Sequence, residues 1–120
     1  MVFDWKEFYD VGVHLEEHSS EEAYQRSAVS RYYYSCYHLV KDYFERKFHY
    51  LGHPEHPHKT LIERLKFYGD EDENDLADAL SQLRVYRTHA DYKPNFRKNT
   101  LRKAKKTTKD IFSLLQSLEN

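Results

Sequence analysis

With 120 residues, a formal net charge of −1 and a single cysteine, Cys36, the chain is sized for one domain over residues 1–120, with a core that no internal disulfide supports. No run approaches the roughly 20 apolar residues of a membrane span or resembles a signal peptide, and the lone thiol fits a reducing compartment. Three glycines, three prolines and few β-branched runs argue against a β fold, so the expectation is a soluble, cytoplasmic, helical protein.

Asp4 with Glu7, and Ser19 with Glu22, have the spacing of capping boxes. They open a first helix of about residues 4–18 and a long second one of about residues 20–50. The second stops near Gly52, and Pro54 and Pro57 keep the following loop from being helical. A short third helix runs from about Lys59 to Tyr68, with Gly69 as its stop. The fourth, from about Asp72 to Tyr92, carries Leu76, Leu80, Leu83 and Arg87 on one side. The acidic residues between Asp70 and Asp78 lie at its start, where carboxylates suit the helix dipole. Pro94 breaks the chain again. In the last helix Leu101, Ala104, Thr108, Ile111, Phe112, Leu115 and Leu118 recur at helical period, with lysines opposite. The sum is an all-α bundle of four main helices plus a short one.

Two stretches carry chemistry. In the second helix Ser27, Arg31, Ser35, His38 and Asp42 recur every three or four residues as a polar stripe. Tyr24, Ala28, Tyr32, Leu39 and Tyr43 form an adjoining apolar face, and Tyr33, Tyr34 and Tyr37 flank the stripe, out of eleven tyrosines in all. A buried Arg31 needs a carboxylate, for which Asp91 is the candidate, and a plain packing salt bridge accounts for the same two residues. The second stretch, Leu83-Arg84-Val85-Tyr86-Arg87-Thr88-His89-Ala90-Asp91-Tyr92, ends the fourth helix. It combines arginines able to hold a phosphate with a histidine, the residue type that titrates near neutrality.

Ala28-Val29-Ser30-Arg31-Tyr32-Tyr33-Tyr34-Ser35-Cys36-Tyr37-His38, the step His58-Lys59, and Arg87-Thr88-His89-Ala90-Asp91-Tyr92 together resemble the HEPN superfamily (higher eukaryote and prokaryote nucleotide-binding domains). The nearest likeness is to its small stand-alone prokaryotic branch, which ends the fourth helix in Arg-x-x-Ala-Asp-Tyr. The resemblance covers about residues 20–118 and implies a HEPN-like helical bundle that dimerises with the ends of the fourth helices facing one another. It also implies a metal-independent ribonuclease with an arginine, four to six residues, then a histidine, acting as a toxin or defence effector. Such toxins are often paired with a nucleotidyltransferase antitoxin. Arg84 and His89 fit that spacing, although the branch's own arginine falls on Arg87 and Val85 stands where nucleases more often carry a polar residue.

On this reading His89 moves the proton of a ribose 2′-hydroxyl or of the departing 5′-oxygen, while Arg84 holds the phosphate oxygens. The products are a 2′,3′-cyclic phosphate and a 5′-hydroxyl, and no metal or cofactor is expected. Arg87, Asp91, Tyr92, Arg31 and His38 are supporting or phosphate-binding candidates, with Tyr92 able to stack on a base or to accept an antitoxin's modification. Lys98, Arg102, Lys105 and Lys106 on the last helix could track RNA, or simply face solvent. Residues five apart on an ideal helix point about 140° away from each other. Arg84 and His89 therefore share a cleft only if the helix bends near Thr88 or two protomers combine. The alternative is a catalytically silent HEPN domain that binds a nucleotide or a nucleotidyltransferase. His14-Leu15-Glu16-Glu17-His18 matches a zinc-protease pattern but lacks a third ligand, and His49, His53, His56 and His58 read as a solvated loop.

Overall fold

The computed structural model describes residues 2–49, 52 and 55–120, and among these it places five α-helices and no strand. In chain order α1 spans Lys6–His18, α2 Glu22–Phe48, α3 Pro57–Tyr68, α4 Glu71–Tyr92 and α5 Asn99–Glu119. The all-α expectation and the helix order stand. Tyr50, the last residue of the expected second helix, and the readings placed on His53 and Pro54 lie outside the described residues.

The long helix α2 is central, packing on α1, α4 and α5 and touching α3. Its apolar residues surround the helix, the pattern of an element covered on several sides. Val29, Tyr33, Cys36, Val40 and Phe44 face the main core with Leu61 and Leu65 of α3, Leu76, Leu80 and Leu83 of α4, and Ile111 of α5. Each such leucine or isoleucine contributes about 1.5–3 kcal/mol of burial. On another side Ala28 and Tyr32 receive α1 at Gly12, where a Cβ would run into the Tyr32 ring. The Tyr32 hydroxyl donates to Glu16, which also meets Lys105 at 3.4 Å and so ties α1 to α2 and α5.

The helix ends differ from expectation in an instructive way. Neither Asp4–Glu7 nor Ser19–Glu22 forms a capping box. Asp4 accepts instead from the Lys6 amide at 3.0 Å and Ser19 from the Glu21 amide at 3.1 Å. These are two-residue turns, which short oxygen-bearing side chains form as readily as caps. The capping box forms at Asp70 and Glu73, with bonds of 3.2 and 3.1 Å that start α4 one residue before Asp72. Pro57 opens α3 rather than excluding it, because a first-turn residue needs no amide donor and proline's φ is already helical. Gly69 is extended, not left-handed. It is confined because a Cβ there would collide with the Leu65 carbonyl and the Glu73 side chain. The left-handed residue that ends α2 is His49 (φ 56°).

Glu73 does more than cap. Its side chain is 1% exposed, and its Oε2 accepts from the Tyr43 hydroxyl at 2.6 Å and from Lys47 at 2.8 Å. Burial alone would raise this carboxyl; Lys47, Tyr43 and the Asp70 amide instead hold it below its ordinary value.

Candidate functional site

The last turns of α4 hold every residue that the sequence marks most strongly, and their placement follows from one straight helix. α4 is helical without interruption through Thr88, whose hydroxyl donates back to the Arg84 carbonyl at 2.9 Å. The bend that would bring Arg84 and His89 together is absent. Arg84 and Arg87 leave α4 toward α2 and α3, whereas His89 leaves it toward the segment that leads into α5.

On the first side Arg87 is buried against α2, its guanidinium carbon 5.2 Å from the Tyr33 ring centre, 5.6 Å from Tyr34 and 5.7 Å from Tyr92. Three aromatic faces around a cation make a favourable, water-poor seat. Its carboxylate partner is Asp91, at 3.7 Å, and its Nε finds no acceptor among the described residues. The Tyr33 hydroxyl and Nδ1 of His58 are hydrogen-bonded at 2.6 Å, and the Tyr37 ring lies 4.1 Å from that imidazole. Burial pushes the His58 pKa down to about 4, and the charges of Arg87 and Arg84 push the same way, so the ring is neutral and can accept. This corner is therefore positive and lined with aromatics.

On the other side His89 is exposed and lines a cleft of about 440 Å³ with Tyr86, Lys93, Arg97, Asn99 and Lys103. Arg26 of α2 holds the backbone of the segment that lines this cleft. Its Nη1 donates to the carbonyls of Ala90 at 2.9 Å and Lys93 at 2.6 Å, its Nη2 to that of Pro94 at 3.0 Å, and its guanidinium stacks on Phe96. One side chain thus satisfies carbonyls that the end of α4 leaves open and pins the 93–98 turn.

The expected Arg31–Asp91 pair does not form. Arg31 is exposed, 5.1 Å from the Phe8 ring, because α1 lies over this part of α2. Asp91 instead meets Arg87, four residues back on its own helix, and Ser30 at 3.4 Å. His38 stacks on Trp5 at 3.6 Å, and burial lowers its pKa. The stripe is broken further by Ser35, which is wholly buried with no partner for its hydroxyl among the described residues. Tyr92 is 71% exposed. Lys98, Arg102, Lys105 and Lys106 do come together, in a groove of about 390 Å³ shared with Glu16 and Gln25. His14 and His18 lie with ring centres 6.3 Å apart. Among the described residues no three His, Cys, Asp or Glu side chains are grouped to hold a metal, and no helix is long and apolar enough to cross a membrane.

Sequence reasoning missed His58 as a partner of Tyr33, Arg26 as the cap of α4, and Lys93, Arg97 and Lys103 as neighbours of His89. The first could have been suspected from the His58-Lys59 step of the resemblance; Arg26 reaches the end of α4 across more than sixty residues, and Lys93, Arg97 and Lys103 are brought to His89 by the turn after α4 and the start of α5. Compared with known proteins, the chain matches no family model, no curated protein and no solved structure.

Proposed function

We propose that this chain is a HEPN-type, metal-independent endoribonuclease that leaves 2′,3′-cyclic phosphate and 5′-hydroxyl ends. The observation that carries the reading is His89, exposed in a cleft whose other charged residues, Lys93, Arg97 and Lys103, are all cations. An imidazole there can take the 2′-hydroxyl proton or return one to the leaving oxygen, while the cations hold the phosphate. Arg84 lies on the other side of α4 and reaches this cleft only as the Arg84 of a second copy. Two chains facing each other along α4, where Val85 and Tyr92 are exposed, supply that geometry and accord with the dimer that the resemblance implies. Before two chains pair, exposed Tyr92 is also accessible to a modifying nucleotidyltransferase, the antitoxin of a toxin–antitoxin pair.

The test is cleavage of tRNA and total RNA by the purified protein with EDTA present, beside His89→Ala. Cleavage that survives EDTA, leaves cyclic phosphate ends and falls by about 10²–10⁴ in the variant supports the reading. Cleavage that the variant retains, or none by either protein, sinks it. The divergence of Arg84 and His89 in one chain favours a second reading, a silent HEPN module in which Arg87, Asp91 and Tyr92 hold the fold. Absence of cleavage by an unmodified protein of correct mass is its signature.

A further inference from the structure

From Lys93 to Lys109 the chain carries eight cations and no carboxylate, although its net charge is −1. On α5 the buried line is Thr100, Ala104, Thr108, Ile111 and Leu115. At about 100° per residue, Lys105, Lys98, Lys109, Arg102, Lys106 and Lys103 follow one another around the opposite side and cover an arc of about 160°. One margin of that arc is Lys103, in the His89 cleft; the other is Lys105, in the groove against α1. Lys105 is held by Glu16 at 3.4 Å and Lys106 by Asp110 at 3.1 Å. Lys98, Arg102, Lys103 and Lys109 have no carboxylate within 4 Å among the described residues, so four cations of this strip face outward uncompensated, with the Lys106–Asp110 pair between Lys103 and the other three.

We infer that this strip is a polynucleotide track, carrying the strand that enters or leaves the His89 cleft over α5 to the α1–α5 groove. The inference rests on the ribonuclease reading for the identity of the strand. The groove is lined by five cations with Leu101, Gln25 and one carboxylate, Glu16, which Lys105 meets, and by no aromatic ring, so nothing in it stacks on a base. The track therefore holds phosphates without reading sequence, and substrates longer than the cleft itself bind more tightly.

The experiment follows the fluorescence anisotropy of a labelled 2′-O-methyl oligoribonucleotide of about 12 units, which cannot undergo 2′-hydroxyl attack, and of DNA of equal length. It compares the wild type with a Lys98→Gln, Arg102→Gln, Lys109→Gln triple variant, which leaves His89, Lys93, Arg97 and Lys103 in place. Expected results are equal binding of both strands, a loss of about tenfold or more in the variant, and a log–log salt dependence shallower by about 2. Cleavage of a dinucleotide, too short to reach the track, should be the same in both proteins. Affinity and salt dependence unchanged by the triple substitution overturn the track, even where RNA is cut. So does a wild type that binds neither strand, the strip then serving an acidic protein surface. Track-dependent binding with no cleavage of any RNA leaves the track standing and removes the ribonuclease reading instead.

Discussion

Nδ1 of His58 lies 2.6 Å from the Tyr33 hydroxyl, which joins the first turn of α3 to the middle of α2. With the hydroxyl as donor the bond fits a neutral ring, since a protonated Nδ1 has no lone pair to accept with. Burial and the two arginines keep the ring neutral by lowering its pKa from 6.5 to about 4. In the unfolded chain the same histidine takes up its proton near the ordinary value. The fold therefore loses stability as pH falls from about 6.5 toward 4, by up to about 3 kcal/mol. Urea unfolding of the wild type should show this decline, and His58→Gln should flatten it while lowering stability at neutral pH. An undiminished slope in the variant would assign the pH dependence to another group.

Glu73 is held charged rather than neutral, yet its stabilisation is lost in the same direction of pH. Its folded pKa lies below the ordinary 4.5, so its stabilisation is complete above that value and is lost as pH falls through the folded one. At neutral pH Glu73→Ala removes the reciprocal half of the α4 cap and leaves the Tyr43 hydroxyl and Lys47 without their acceptor, at a cost of about 2–3 kcal/mol. Glu73→Gln keeps an acceptor for the Asp70 amide and should cost less. Denaturation midpoints of the two variants measure the difference.

What the sequence disclosed and what it withheld divide along physical lines. Helical period placed Leu76, Leu80 and Leu83 in the core and Ala104, Thr108, Ile111 and Leu115 on the buried side of α5, because burial of one helix face is written locally. The same geometry warned that Arg84 and His89 diverge, and an unbroken α4 keeps them apart. Caps were less legible. Asp4, Ser19 and Asp70 all have an acidic residue three positions on, yet only Asp70 is seated by a neighbour, the buried Glu73 held from α2. Partners distant in sequence were not legible at all. Arg26 reads as one more surface cation until α2 and the end of α4 are brought together. Asp91 pairs with Arg87, one turn back on its own helix, while Arg31 stays exposed beside Phe8 of α1.

Arg26 is accordingly a sensitive position. It donates to four carbonyls at the end of α4 and in the turn beyond, and its plane rests on Phe96. Arg26→Ala strips those acceptors of their donor and should cost about 2–3 kcal/mol. Arg26→Lys keeps the charge but cannot fork to several carbonyls, and should recover less than half. Amide hydrogen exchange would localise the effect. Faster exchange confined to residues 89–98 and the start of α5 is expected, whereas uniform acceleration would mean that the side chain supports the bundle generally.

The separation of Arg84 from His89 makes a prediction that mixing experiments can decide. If two chains build each cleft, Arg84→Ala and His89→Ala proteins are each inactive alone, yet a heterodimer keeps one complete site: Arg84 from the His89→Ala chain beside His89 from the Arg84→Ala chain. Unfolding and refolding the two together in equal amounts gives heterodimers as about half of all dimers, each with one working site of two. Ribonuclease activity should therefore return to about a quarter of the wild-type value. Mixing without subunit exchange should restore nothing. An Arg84→Ala protein that is fully active alone would instead place the phosphate in the hands of Lys93, Arg97 and Lys103 of a single chain, and assign Arg84 to the electrostatics of the Tyr33–His58 corner.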